Sequence, residues 1–320
     1  MGILVVGSVG LDDIEAPAGL RSGILGGACS YFSTMASLYT KVSMVGVVGT
    51  DFPQEHIGFF QGRGIDTRGL QIVDGKTFFW SGYYGPNLDD AITRDTQLNV
   101  FADFHPVIPN SQREAEFVFL ANIDPELQIE VLEQVNAPRL TALDSMNFWI
   151  DSKKDVLTQA LSMVDVVMLN ETEVKMYASN NNLFDSARHI LALGPKALII
   201  KRGEHGAMLI TRGEDRGHSV FMVPAYPSES VVDPTGAGDT FAAGFMGYVA
   251  KTGELSSQTL RQAVVHGAIA GSFAVEDFSI GRLRCLTWKE IMARYSEFRC
   301  LTYFDTLPES ECQVFRQSIL

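Results

Sequence analysis

Apolar residues along this chain fall in short unbroken runs separated by longer segments of mixed polarity. The runs at 3–6, 42–48, 117–120, 140–143, 164–169 and 197–200 are rich in Val, Ile and Leu. They predict strands covered on both faces, because a half-exposed strand would alternate apolar with polar residues. At 125–135, 151–161 and 184–193 polar residues break the apolar rows at helical spacing. Strand and helix in alternation predict a parallel sheet with helices on its faces.

Two regions depart from that rhythm. Residues 12–25 and 70–100 are turn-rich and partly alternating, as in TFFWSGYY at 77–84, and predict strands of a smaller, separate sheet. The expected organisation is one α/β body over 1–300 with a β lid formed by about 12–25 and 70–100. Residues 301–320 have mixed polarity and no period and read as a C-terminal tail. Asn180-Asn181-Asn182 reads as a polar turn, and no internal repeat is visible.

Composition narrows the class of partner. With 38 acidic and 25 basic residues the formal charge is −13, which repels a nucleic-acid backbone or an anionic membrane on average. Cys29, Cys285, Cys300 and Cys312 show no zinc-type or C-x-x-C spacing and read as reduced thiols. The opening MGILVVG has no basic stretch before its short apolar run, and no later segment reaches spanning length without charges. The expected location is the cytoplasm.

The candidate chemistry lies in VVDPTGAGDTF at 231–241, followed by the small-residue, helix-compatible AAGFMGYVA. A helix starting there would present unpaired backbone N–H groups and the positive end of its dipole, which suits a phosphate or a developing oxyanion. Gly236 and Gly238 keep side chains out of the approach, and Asp239 could accept a proton from a substrate hydroxyl. On this stretch alone a second reading stands beside the first: Asp239 complements the helix dipole and the glycines make a turn.

DPTGAGDTF resembles the C-terminal signature of the PfkB, or ribokinase-like, carbohydrate and nucleoside kinases. Gly26-Gly27-Ala28-Cys29-Ser30-Tyr31, a helix-like segment at 32–39 and VGVVGTD at 45–51 are similar to the family's N-terminal pattern, and the likeness runs from Gly7 to about Ala274. It implies a ribokinase-like three-layer α/β/α body with a mostly parallel central sheet and a small β-sheet lid. It also implies transfer of the γ-phosphoryl group of ATP, with Mg2+, to a primary hydroxyl of a nucleoside or small sugar.

Residue by residue, the resemblance makes Asp239 the base and the backbone of Gly236, Ala237 and Gly238 the anion hole. Asp12 matches the carboxylate that binds two acceptor hydroxyls, beside the Gly26-Gly27 turn, with a turn-starting role as its alternative. Asn170 and Glu173 match an N-x-x-E element near the metal and its waters, although the same residues could simply start a helix. Lys201, Gly203 and Gly206 match a strand-end turn beside the nucleotide. His266 falls where the family lines its adenine pocket, although a core histidine is the favoured reading of the residue itself.

Tyr31 stands where many ribokinase-like enzymes have asparagine. With Phe79, Trp80, Tyr83 and Tyr84 it suggests an aromatic acceptor pocket able to stack a base; packing under the lid or between two lids is the alternative. A nucleoside is therefore favoured as acceptor, ahead of a sugar or sugar acid. A silent nucleotide- or sugar-binding regulator is a rival that the intact Asp239 disfavours. A homodimer through the exposed lid edge is also expected. GKT at 75–77 lacks the first glycine of a phosphate-binding Walker loop, and VDGK at 73–76 reads as a hairpin turn. Gly7-Ser8-Val9-Gly10 lacks the last glycine of a dinucleotide fingerprint.

Overall fold

The computed structural model of the chain describes residues 2–88, 91–212 and 217–305. Its strands are β1 (Gly2–Val6), β2 (Gly10–Ala16), β3 (Gly19–Gly26), β4 (Lys41–Gly49), β5 (Asp66–Val73), β6 (Phe78–Tyr83), β7 (Ile92–Gln97), β8 (Phe117–Leu120), β9 (Leu140–Asp144), β10 (Val166–Asn170), β11 (Ala197–Lys201), β12 (Ala207–Arg212) and β13 (His218–Val223). The large sheet runs β13-β12-β11-β10-β9-β8-β1-β4-β5, parallel from β11 to β5 and antiparallel at the β12 and β13 edge.

Strand side chains alternate between the two faces of a sheet, and here both faces are apolar. Ile3 and Val5 of β1 join one core with Phe117, Phe119, Val166, Met168 and Ile199. Leu4 and Val6 join the other with Val118, Leu120, Val167, Leu169 and Ile200. Burial on both sides is why the strand runs lack polar residues.

Helices α1 (Ala28–Ala36) and α2 (Gln54–Gly62) precede α3 (Pro125–Gln134), α4 (Asn147–Ser152), α5 (Lys154–Ser162), α6 (Glu171–Ala178) and α7 (Leu183–Ala192). The chain ends its described part with α8 (Ala237–Thr252), α9 (Ser257–Ala274), α10 (Gly281–Cys285) and α11 (Trp288–Thr302). Residues of α1, α8, α9 and α11 fill the first core, and residues of α3, α5, α6 and α7 the second. Asn182 closes the polar turn at 180–182 by accepting from the N–H groups of Phe184 and Asp185, capping α7.

The second sheet is the lid, ordered β3-β2-β6-β7. Its limits differ from those expected: residues 70–73 belong to β5, which pairs with β4 in the body. The VDGK stretch is consequently not a hairpin, since the strands it joins lie in different sheets. Asp51 holds this crossover by accepting from the Thr77 N–H at 2.8 Å and the Thr77 hydroxyl at 2.7 Å. Leu301 and Thr302 still belong to α11, and 306–320 of the expected tail lie outside the described residues. Cys29, Cys285 and Cys300 are free thiols, and Cys312 lies outside the described residues. Among the described residues no helix is long and apolar enough to cross a membrane.

Helices α8 and α9 approach closely because α8 carries small residues. A Cβ at Gly244 would lie 2.5 Å from the His266 carbonyl oxygen and 2.6 Å from the Ala270 Cβ. We expect Gly244→Val to destabilise the protein by about 1–3 kcal/mol through overpacking. The measurement is a urea melt, with a lower midpoint and an unchanged slope.

Candidate active site

The carboxyl ends of the parallel strands and the N-terminus of α8 meet at one place. Gly236 caps α8 with φ 74°, in the left-handed region, and no side chain caps the helix. Glycine is required there twice over: by the dihedral, and because a Cβ would sit 2.3 Å from the Tyr31 ring. The first-turn N–H groups of Gly236 and Gly238 have no acceptor inside the helix, whereas that of Ala237 donates to the Pro234 carbonyl oxygen at 3.2 Å.

Asp233 braces the approach to this turn. Its carboxylate accepts from the Thr235 N–H at 2.9 Å and the Ser279 N–H at 3.3 Å. Burial raises the Asp239 carboxyl to about 7, with the Asp144 carboxylate raising it further and the Lys201 ammonium opposing. Such a group exchanges protons near neutrality, which a general base needs.

Asp12 comes from β2. The loop after β3 wraps it: a Cβ at Gly26 would fall 1.9 Å from Asp12 Oδ2, and Gly27, at φ 89°, leads into α1. Asp12 is 3% exposed. Burial, followed by the carboxylates of Asp233, Asp13 and Asp239, pushes its carboxyl up to about 8.

The aromatic residues expected to line an acceptor pocket do not form one group. Tyr31 is 1% exposed and its ring lies under Gly236, so it supports the turn and offers no open stacking face. Its hydroxyl is buried with no hydrogen-bond partner among the described residues, electrostatically within reach of Asp12, Asp233, Tyr84 and Asp239. The lid aromatics divide by strand alternation. Trp80 and Tyr84 turn inward to pack with Ile14, Ala16 and Phe278. Phe79 faces outward with its register neighbours Leu11 and Gln97, lining a cavity of about 230 Å3. Tyr83 lies under Arg94, which pairs with Glu15.

Lys201 at the end of β11 reaches across to Asp144 at the end of β9, with Nζ 2.5 Å from Oδ2. The ammonium also lies 3.3 Å from where a Gly238 Cβ would be, so it borders the α8 N-terminus. Burial works against its charge, but Asp144, Glu173 and Asp239 outweigh that and raise its pKa. Asp144 itself is raised by burial, against the pull of Lys201. Nothing in the sequence pattern pointed to Asp144, because its partner is 57 residues away.

Asn170 and Glu173 form a reciprocal capping box on α6: the Asn170 side chain accepts from the Glu173 N–H at 2.8 Å, and Glu173 Oε2 accepts from the Asn170 N–H at 2.7 Å. The helix-start reading therefore holds in the structure. No group of three or more His, Cys, Asp or Glu side chains converges on a metal position among the described residues. Gly203 (φ 54°) and Gly206 (φ 87°) shape the short turn between β11 and β12. His266 is corrected to a core residue: it is 3% exposed, bonded to the Tyr39 hydroxyl and stacked between Tyr248 and Tyr295. Burial, with the Lys251 ammonium nearby, drops its pKa to about 4.

A model of the pfkB family of carbohydrate kinases matches residues 12–282. The chain belongs to that family. As a pfkB-family kinase it is a phosphotransferase that uses ATP and a hydroxyl acceptor. It is similar to the cytidine kinase of Thermococcus kodakarensis, with 32% identity over 252 residues, which covers 77% of this chain and 87% of the relative. The Burkholderia thailandensis nucleoside kinase in complex with inosine shares the fold at TM-score 0.75 and 20% identity, covering 92% of this chain and 97% of that one. The Arabidopsis thaliana ribokinase complexed with ribose and ATP does so at TM-score 0.70 and 19% identity, over 92% and 98%.

A carboxyl whose pKa is raised in the fold contributes stability that is complete below its unfolded value and is lost as the pH rises through its folded value. For Asp12 that window runs from the ordinary carboxylate range to about 8. Asp12→Asn in the pfkB-family kinase should therefore raise the melting temperature at pH 8, with the gain shrinking toward pH 4. Thermal melts across that range test it, and a gain that does not vary with pH would contradict the assignment.

Proposed function

We propose that this kinase transfers the γ-phosphoryl group of ATP to the primary hydroxyl of a nucleoside. The observation that carries the reading is Asp239, a carboxylate near neutrality at the open N-terminus of α8, opposite the buried Asp12. Asp239 takes the hydroxyl proton as the oxygen attacks the γ-phosphorus. Backbone N–H groups of Gly236, Ala237 and Gly238 stabilise the charge on the moving phosphoryl oxygens. Asp12, seated on Gly26 and Gly27, accepts from two sugar hydroxyls, and their donation favours its ionised form.

Likeness to a cytidine kinase over most of both chains supports a nucleoside. The charges that weigh on Asp12 are carboxylates, which disfavours an anionic acceptor such as a sugar acid. A neutral sugar is the second reading, since Asp12 would bind its hydroxyls equally well. A silent regulator would gain nothing from a base tuned to neutrality.

Lys201 faces the nucleotide phosphates, with the Gly203–Gly206 turn beside the ribose. The charge balance, rather than a preformed ligand cluster, suits Mg2+: Asp144, Glu173 and Asp239 all act on the Lys201 ammonium, leaving negative charge for a divalent ion to balance. Glu173 and Asn170 would meet the ion through water, since Mg2+ keeps much of its hydration and takes its other oxygens from phosphates. When bound it would neutralise phosphate charge. The exposed edge strand β7 supports pairing of two lids in a homodimer, and dependence on ATP fits a cytoplasmic enzyme.

Transfer of labelled γ-phosphate to a panel of nucleosides, pentoses, hexoses and sugar acids tests the reading. Nucleosides should be phosphorylated with the highest kcat/KM, and preference for a sugar acid would overturn it. Asp239→Asn should lower kcat by roughly 10²–10⁴ while ATP binding persists. In the wild type kcat should fall as the pH drops through about 7, because the base must be ionised.

A further inference from the structure

The lid touches the phosphoryl-transfer turn directly. The hydroxyl of Tyr84, just after β6, lies 2.9 Å from Thr235 Oγ1, and Thr235 immediately precedes Gly236. From Thr235 the contacts continue through its N–H to Asp233 and from Asp233 to the Ser279 N–H. The Ser279 hydroxyl then donates to the Leu25 carbonyl oxygen in β3. The path thus leaves the lid at β6, crosses the turn that opens α8 and re-enters the lid at β3. Ser279 is held at φ 55°, an uncommon conformation for a non-glycine residue that its surroundings must enforce. Around the path, Trp80 and Tyr84 pack with Ile14, Ala16, Phe278 and Val232, so a shut lid and a braced turn share one apolar cluster.

We propose that Tyr84 is a positioning residue for phosphoryl transfer: with the lid shut its hydroxyl holds Thr235, so that the Gly236–Gly238 turn reaches its working shape only over an enclosed acceptor. The inference rests on the kinase reading above. In transfer, the bond between the γ-phosphorus and the bridging oxygen of ADP breaks, a bond to the acceptor oxygen forms, and the hydroxyl proton passes to Asp239. Water can replace the acceptor in the same step, yielding ADP and inorganic phosphate. Tying the turn to lid closure disfavours that side reaction, because water is excluded when the turn is in place.

Tyr84→Phe keeps the ring in the apolar cluster, and Thr235→Val keeps the shape of the turn residue. Both variants and their double are assayed with Mg·ATP and the best acceptor of the panel, measuring product and free phosphate. Each single variant should lower kcat about three- to tenfold, roughly the worth of one hydrogen bond, with the ATP KM within twofold. The ratio of hydrolysis to transfer should rise by a similar factor, and the double variant should be no worse than the poorer single one. A Tyr84→Phe protein with unchanged kcat and unchanged hydrolysis ratio, or additive losses in the double, overturns the role of Tyr84. Hydrogen exchange of the amides at 233–240 gives a readout independent of turnover: faster exchange in Tyr84→Phe is expected, and unchanged exchange overturns the coupling. A wild-type protein that phosphorylates no acceptor would sink the kinase reading instead, and the exchange comparison would still decide the contact.

Discussion

The close seating of Gly236 on the Tyr31 ring is the contact on which the site depends. Tyr31 belongs to α1 and Gly236 opens α8, so this one contact joins the N-terminal and C-terminal parts of the body at the sheet's carboxyl edge. Any side chain at position 236 would lift the turn off the ring. The bare backbone lets the helix N-terminus come down to the strand ends, where Lys201 and Asp144 wait on one side and Asp12 on the other.

Electrostatics give this arrangement its tension. Asp12, Asp144 and Asp233 are almost completely buried, and Asp239 is partly so, while the Lys201 ammonium acts on Asp144 and Asp239 among them. Burying carboxylates without matching cations opposes folding, which is why burial leads the causes raising each of these groups. Hydroxyl donors reaching these carboxyls would relieve that strain. The site is thus less stable empty than its packing would allow, a common relation between stability and function.

Much of the architecture was legible because it follows from local rules. Unbroken apolar runs mean strands covered on two faces, and residues 3–6, 117–120 and 197–200 became strands shared between two cores. The GAGD turn was legible because glycine at a helix start has few other uses. The lid limits were less so: residues 70–73 look much like lid strands, yet they pair with β4, and pairing partners leave no local mark.

The side from which each residue acts was not legible at all. Tyr31, Phe79, Trp80, Tyr83 and Tyr84 form one aromatic group in the sequence, but strand alternation and burial send them to four different surroundings. His266 sits where a nucleotide pocket was expected and is enclosed by rings from α8 and α11. Asp144 carries no motif, and Thr235 touches the lid only because β6 ends above it. The sequence by itself determined the layers, the helix-start turn and the family chemistry, since these depend on periodicity and on residues near in the chain. Only the tertiary structure decided which carboxylates share the ammonium, where each aromatic ring packs and how the lid meets the turn, because those are contacts between residues tens to hundreds of positions apart.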